Sequence, residues 1–160
     1  MGVTWKDLSF IPSAEAIAEL HVEWQWLIGE DSKAFLSSVM GDVFLETQSG
    51  EVTWLDTGRG RLEVLAPSRE AFLAELRGKA DEWMMASLVD ELHAAGIRLG
   101  PGQCYGFKVM PALGGDYAVA NVAPMAAQAW YGFSGYVHHQ LKDLPDGAHV
   151  HFELSPDDDE

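Results

Sequence analysis

The chain has 160 residues, of which 48% are apolar, 22% are charged and one is a cysteine. This length and composition predict one globular domain rather than a disordered segment, and the lone Cys104 excludes both an intramolecular disulfide and a thiolate zinc cluster. The formal net charge of −15 argues against binding to nucleic acids or anionic membranes, because both attract basic proteins.

The first predicted element is a helix that begins after Ser13, a residue type that caps helices, and ends at Gly29. Apolar residues recur along it at helical spacing: Ile17, Leu20, Trp24, Leu27 and Ile28. The next segment, Lys33–Met40, is ambiguous, with a short helix as one interpretation. Three short segments rich in β-branched and aromatic residues then predict an antiparallel meander: Val43–Thr47, Val52–Asp56 and Arg61–Leu65.

Two helices are predicted after the meander. Ser68 caps the first, which presents Phe72, Leu73 and Leu76 on one face, and the second spans about Asp81–Ala95 with Gly96 at its C′ position.

The last third of the chain predicts strands at Cys104–Val109 and Tyr117–Val122, joined through a Gly114-Gly115 turn, and one more at Gln128–Tyr131. A helix follows, predicted by the helical spacing of Phe133, Tyr136, Val137, Gln140 and Leu141. Pro145-Asp146-Gly147 then predicts a turn, and His149–Leu154 a final strand. The pattern predicts a single α+β domain over residues 1–155, with a mainly antiparallel sheet packed with about four helices. Residues 156–160 predict a disordered acidic tail.

No targeting signal is visible in the sequence. The segment Met1–Phe10 has no apolar run behind a basic start, and nowhere does the chain approach the roughly 20 apolar residues of a membrane span. We therefore expect a soluble, cytoplasmic protein.

No catalytic motif is present either. The glycine-rich segments lack the spacing of a phosphate loop, and the residues around Ser134 fall one residue short of a nucleophile elbow. Cys104 would act as a nucleophile only beside a histidine, whereas a lone cysteine in a predicted strand is more often a small buried apolar residue. We expect no enzymatic activity and no cofactor.

Histidines near the C-terminus form the candidate metal site. His149 and His151 share one face of a predicted strand, and His138 or His139 on the preceding helix would have to meet that face. Three converging imidazoles suit zinc or a similar metal, but a solvated sheet face is the alternative, and no acidic residue at ligand spacing joins them. Metal binding is the weaker interpretation.

Trp24 and Trp26 point in different directions from the first helix. They lie about 200° apart around it, so both cannot face the same core. One of them is therefore either covered by another element or exposed. Lys33–Met40 is the candidate for the covering element, whereas an exposed tryptophan is typical of interface hot spots.

Several motifs occur in an order that resembles a known family: Trp24–Gly29, Gly41–Leu45, Gly50–Gly58, Tyr105–Lys108, Pro111–Tyr117 with Asn121, and His139–Gly147. From about Ser13 to Phe152 the chain resembles a bacterial family, first catalogued as a domain of unknown function. The family is named for the C-terminal domain of a type VI secretion immunity protein that neutralises a DNase toxin. In that immunity protein a separate domain comes first, for which we expect no room ahead of Ser13.

The motif residues have two interpretations, as architecture or as a partner-binding surface. As architecture, Gly114-Gly115 supplies positive φ in a tight turn, Pro111 stiffens its approach, and Asn121 bonds the backbone where a strand ends. Tyr105, Phe107 and Tyr117 would pack around that turn. The full candidate set is Trp24, Trp26, Asp42, Phe44, Tyr105, Phe107, Pro111, Gly114, Gly115, Tyr117 and Asn121.

Charge and resemblance together favour one function. Residues 1–65 carry a net charge of −7, residues 66–110 carry −1 and residues 111–160 carry −7. Such a surface attracts basic proteins, and the resemblance implies an immunity-type protein that sequesters a basic toxin or nuclease. The alternatives are a small metal- or ligand-binding protein built on the C-terminal histidines, or a housekeeping adaptor.

Overall fold

The structure, a computed structural model, describes residues 3–144. Its first half contains α1 (Trp5–Leu8), β1 (Ser9–Phe10), α2 (Ala14–Ile28), β2 (Lys33–Ser38), β3 (Val43–Glu46), β4 (Val52–Asp56) and β5 (Arg61–Ala66). Its second half contains α3 (Arg69–Leu76), α4 (Ala80–Met84), α5 (Ala86–Ala94), β6 (Gln103–Phe107), β7 (Val122–Ala126) and α6 (Ala127–Leu141). The predicted α+β class is confirmed, and the described part of the chain has four helices of eight residues or more.

The first long helix, α2, has the bounds that its end residues predict. The Ser13 hydroxyl accepts a hydrogen bond from the Ala16 N–H (3.1 Å), and Gly29 ends the helix at φ +76°. The helix buries Leu20 and Trp24 completely. Local capping and apolar spacing were sufficient to locate this element.

The main sheet is an antiparallel meander in the order β1-β2-β3-β4-β5. It contains the three predicted strands, but the interpretation of Lys33–Met40 as a short helix is wrong. Lys33–Ser38 forms β2, which pairs with β3 from Lys33↔Glu46 to Ser37↔Val43. A bulge between Ala34 and Leu36 shifts the register, so the segment lacks the period-two alternation by which a strand is recognised.

Two predicted helical features need correction. Leu73 is 52% exposed, because it lies about 100° around α3 from the buried Phe72. The predicted helix over Asp81–Ala95 is interrupted at Met85, which has φ +53°. The Asp81 carboxylate accepts hydrogen bonds from the N–H and the hydroxyl of Ser87 (2.7 Å each) and so caps α5 as a new helix. Gly96 follows α5 with φ +78°, as predicted.

The second sheet also differs from the prediction. β6 is confirmed, but its partner is β7 (Val122–Ala126) rather than the predicted strand Tyr117–Val122. All of that predicted strand except Val122 lies in a long connection that ends in a 3₁₀ turn. Gln128–Tyr131 is not a strand but the first turn of α6. Four residues are too few to distinguish a buried strand from a helix, and burial of Trp130, Tyr131 and Ser134 decides for the helix.

Helices cover both faces of the main sheet. On one face, Phe72 of α3 packs against Phe44 with ring centroids 5.1 Å apart. On the other, the Tyr131 hydroxyl of α6 donates to Ser37 Oγ (2.6 Å), and α2 packs on α6, where Trp24 Nε1 donates to the Tyr131 carbonyl (3.0 Å). Phe44 and Trp24 therefore belong to the core.

Within residues 3–144, no helix combines the length and the apolar character needed to cross a membrane. The predicted turn at Pro145-Asp146-Gly147, the strand His149–Leu154 and the acidic tail lie outside the described residues.

Candidate functional site

Polar side chains from three elements meet where β4 ends, at Thr57. The Thr57 N–H donates to Asp42 Oδ1 (3.0 Å), and the Thr57 Oγ1 accepts from Trp130 Nε1 (2.9 Å). The Thr57 carbonyl oxygen lies 2.9 Å from His138 Nε2. We call Asp42, Trp54, Thr57, Trp130 and His138 the Thr57 cluster; it joins the hairpin end of the main sheet to α6.

Asp42 is the buried carboxyl group of this cluster, with 1% of its surface exposed. Its Oδ2 accepts a hydrogen bond from Trp54 Nε1 (3.0 Å). Burial, together with the nearby Asp56, raises the pKa of Asp42 well above its usual value.

The hydroxyl of Thr57 shows how a protonated Asp42 fits. That hydroxyl has one proton, but two acceptors lie within reach, Gly41 O at 3.0 Å and Asp42 Oδ1 at 3.2 Å. If Asp42 were neutral, its own proton would go to Thr57 Oγ1, and the hydroxyl proton would be left for Gly41 O. Both acceptors would then be satisfied.

Stability should depend on pH through Asp42. The pKa of Asp42 is raised in the folded state. Its contribution to the free energy of unfolding is therefore fully present below the pKa that Asp42 has in the unfolded chain, and it is lost as the pH rises through the folded-state pKa. Asp42→Asn should cost about 1–3 kcal/mol at acidic pH, since its amide places a donor against another donor. The difference in Tm between wild type and variant should then narrow as pH rises. Thermal unfolding at several pH values measures it, with the exposed Asp90→Asn as control; a constant difference would contradict the neutral state.

The two helix histidines are engaged in separate contacts. His138 is 5% exposed, and burial lowers its pKa, so the neutral ring donates from Nε2 to the Thr57 carbonyl. Gly60 (φ +72°) passes so close to this ring that a Cβ there would overlap it. His139 instead stacks on Trp26, with ring centroids 5.2 Å apart.

The candidate metal site is therefore only partly described. His149 and His151 lie outside the described residues, and residues 3–144 contain no group of three or more His, Cys, Asp or Glu able to hold a metal ion.

Trp24 and Trp26 belong to one aromatic stack. Trp24 is completely buried, and the ring of the half-buried Trp26 lies between it (5.7 Å) and His139 of α6 (5.2 Å). The element that covers Trp26 is thus α6 rather than the predicted Lys33–Met40, which is occupied in pairing with β3.

The Gly114-Gly115 segment holds the connection between β6 and β7. Only Gly114 has positive φ (+94°); Gly115 is required for a different reason, since a Cβ there would overlap the Val109 carbonyl oxygen. Asn121 bonds the same backbone, as predicted: Oδ1 accepts from the Val109 N–H (3.0 Å), and Nδ2 donates to the carbonyls of Val109 (2.9 Å) and Asp116 (2.8 Å).

The aromatic residues of this motif separate. Phe107 and Tyr117 meet edge to face with centroids 5.3 Å apart, and Pro111 packs close to Gly58. Tyr105 faces another loop, where its hydroxyl donates to the Ile97 carbonyl (2.6 Å). The prediction that all three aromatic residues pack around the turn is therefore wrong for Tyr105.

An open groove of about 570 Å³ lies beside the Thr57 cluster, between the hairpin β4–β5 and helices α4 and α5. Its aromatic lining is Trp54 and Tyr117, and its charged lining is Asp56, Glu63, Asp81, Glu82, Glu91 and Arg59. Arg59 donates from Nε to the Tyr117 hydroxyl (2.9 Å) and lies 3.9 Å from Asp56 Oδ2. With five carboxyl groups and one guanidinium, this acidic groove favours cationic groups.

Among the groove residues only Tyr117 belongs to the candidate set, although Trp54 and Asp56 lie in the motif segment Gly50–Gly58. The others come from five separate segments, and no local pattern links them. Trp130 and Arg59 were missed for the same reason, and Thr57 lies in the motif segment Gly50–Gly58 without being a candidate site residue. A single residue in a short loop or a helix carries no signal until the fold brings it together with others.

Cys104 is completely buried in β6, and burial raises the pKa of its thiol to about 12. The thiol is therefore protonated at neutral pH, whereas a nucleophile requires the thiolate. This favours the interpretation of Cys104 as a small apolar residue.

Residues 66–138 match the family described as "T6SS immunity protein Tdi1, C-terminal". The predicted resemblance is confirmed. The part of the chain that matches the Tdi1 C-terminal family contains Tyr105, Phe107, Pro111–Tyr117 and Asn121. It does not contain the motif residues Trp24, Trp26, Asp42 and Phe44, nor the segment from His139 onward.

The fold is similar to that of Atu4351 from Agrobacterium tumefaciens, known from a crystal structure, with a TM-score of 0.58 and 18% sequence identity. The similarity covers 82% of this chain and 68% of Atu4351, and at this identity it concerns the fold alone. No curated protein gives a significant match to this sequence.

Proposed function

We propose that this protein is an immunity-type binding protein that sequesters a basic toxin and is not an enzyme. The observation that carries the proposal is the match of residues 66–138 to the Tdi1 C-terminal family. Immunity proteins act by binding a toxin, which is a function that needs a complementary surface rather than catalytic groups.

Electrostatics support a basic partner. The chain carries a net charge of −15, and the acidic groove concentrates five carboxyl groups around one guanidinium. A cationic surface of a nuclease, which must attract DNA, would be attracted to the same field. Because a nuclease toxin meets DNA in the cytoplasm, we propose that compartment for the complex.

The chemistry of the buried groups supports sequestration rather than catalysis. The Cys104 thiol is protonated, the His138 ring is tied to the Thr57 carbonyl, and Asp42 is enclosed by hydrogen-bond donors. Asp42 and His138 are thus committed to structural contacts, and the Cys104 thiol is not in the form of a nucleophile.

A titration distinguishes sequestration from catalysis. The probe is a purified candidate toxin, chosen from the reading frames next to the gene for this protein, and its activity is followed as this protein is added. Sequestration predicts that activity disappears near one equivalent, together with a complex in size-exclusion chromatography. Inactivation of a large excess of toxin by a trace of this protein would reveal an enzyme, and unchanged toxin activity without a complex would contradict the immunity function.

A further inference from the structure

Two large aromatic side chains of α6 face away from the core. Trp130, Ser134 and Val137 are buried on one side of the helix, which turns Phe133 and Tyr136 outward with exposed fractions of 57% and 56%. Phe133, Tyr136 and Val137 have helical spacing in the sequence, but only Val137 enters the core. Isolated exposed apolar residues are ordinary, whereas two adjacent exposed aromatic residues on one helix face are typical of an interaction surface.

Helix α2 borders these aromatic residues with carboxyl groups. Gly132 and Gly135 of α6 allow close approach of the two helices, since a Cβ on either glycine would lie 2.8 Å from an atom of Glu19 or of Glu23, respectively. A shallow groove of about 410 Å³ opens at Glu19, Gly132 and Phe133. On the outer side of α2, Val22 is 69% exposed.

The two helices have an unbalanced charge. Together α2 and α6 contain three glutamates and no lysine or arginine. Within residues 3–144, none of Glu15, Glu19 and Glu23 forms an ion pair with a basic side chain. The surface thus combines exposed aromatic rings with carboxyl groups that lack a counter-charge.

We propose that this surface, the α2–α6 face formed by Glu15, Glu19, Val22, Glu23, Phe133 and Tyr136, is the docking site for the basic toxin; this rests on the proposed function. Phe133 and Tyr136 are the aromatic anchors that close packing needs, and the glutamates receive lysine or arginine side chains around them. A second copy of this chain does not fit, because the same glutamates would face each other and each chain carries a charge of −15.

Trp24 and Trp26, the anchor candidates that the sequence offers, are not available to a partner. Trp24 is completely buried and Trp26 is held in the stack with His139, so neither presents a free ring to a partner. The exposed aromatic surface lies instead on the outer side of α6.

The test compares two double variants for binding to the same candidate toxin, inactivated at its active site. Phe133→Ala with Tyr136→Ala removes both anchors, and Val64→Ala with Leu73→Ala removes two apolar side chains of similar exposure (58% and 52%) outside the face. We expect a loss of affinity of about 100-fold or more for the first, mostly through faster dissociation, and less than about threefold for the second. Unchanged Tm values verify that both variants fold.

The outcomes separate this inference from the proposed function. If the wild-type protein binds and the anchor variant binds equally well, the α2–α6 face is not the docking site, although the immunity function stands. If both double variants lose affinity alike, the assignment to this face also fails. If the wild-type protein does not bind the toxin, the proposed function fails and this inference fails with it.

Discussion

Gly115→Val is expected to lower the Tm by about 6–12 °C or more, corresponding to about 3 kcal/mol in a chain of this length. A Cβ at this position would overlap the Val109 carbonyl oxygen and lie 2.9 Å from Asn121 Nδ2. Neither atom can move aside cheaply, because Asn121 makes three hydrogen bonds to this connection and the Gly115 N–H itself donates to Met110 O (3.0 Å).

Gly114→Ala is the matched control for this variant. Gly114 has φ +94°, but no atom lies within 4 Å of the position of its Cβ, so its cost is confined to backbone strain of about 1–2 kcal/mol. Thermal unfolding of the two variants therefore separates close approach from conformational freedom. Equal stability of Gly115→Val and wild type would mean that the motif serves the partner rather than the fold.

Association with the proposed basic toxin is expected to slow by about 100-fold as the salt concentration rises from about 0.01 to 0.5 M, whereas dissociation should change only a few-fold. The chain carries −7 in residues 1–65 and −7 in residues 111–160, and this charge acts at long range during the encounter. If the toxin docks on the α2–α6 face as proposed, packing around Phe133 and Tyr136 would govern the lifetime of the complex, and packing is insensitive to salt.

Stopped-flow kinetics over this range measure both rates. Glu19→Gln with Glu23→Gln should reduce the association rate at low salt and leave dissociation nearly unchanged. An association rate that is independent of salt would refute electrostatic steering.

The sequence by itself determined the elements whose signals are local. Ser13 and Gly29 bound α2, Ser68 begins α3 with a hydroxyl that accepts from the Ala71 N–H (3.1 Å), and the turn residues separate the strands of the meander. The sequence also determined the resemblance to the immunity family, because that resemblance rests on the order of motifs along the chain. In each case the deciding contact lies within a few residues.

Only the tertiary structure decided those features that depend on contacts between residues far apart in the sequence. Lys33–Ser38 is a strand because β3 supplies its partner, and Gln128–Tyr131 is helical because Trp130 and Tyr131 find buried contacts. The hydrogen bonds of the Thr57 cluster join residues 12 to 81 positions apart, and only this packing raises the pKa of Asp42. The packing of α2 on α6 also decides which of their aromatic residues remain exposed. Helical spacing in the sequence cannot distinguish a helix face that another helix covers from a face that is free to bind a partner.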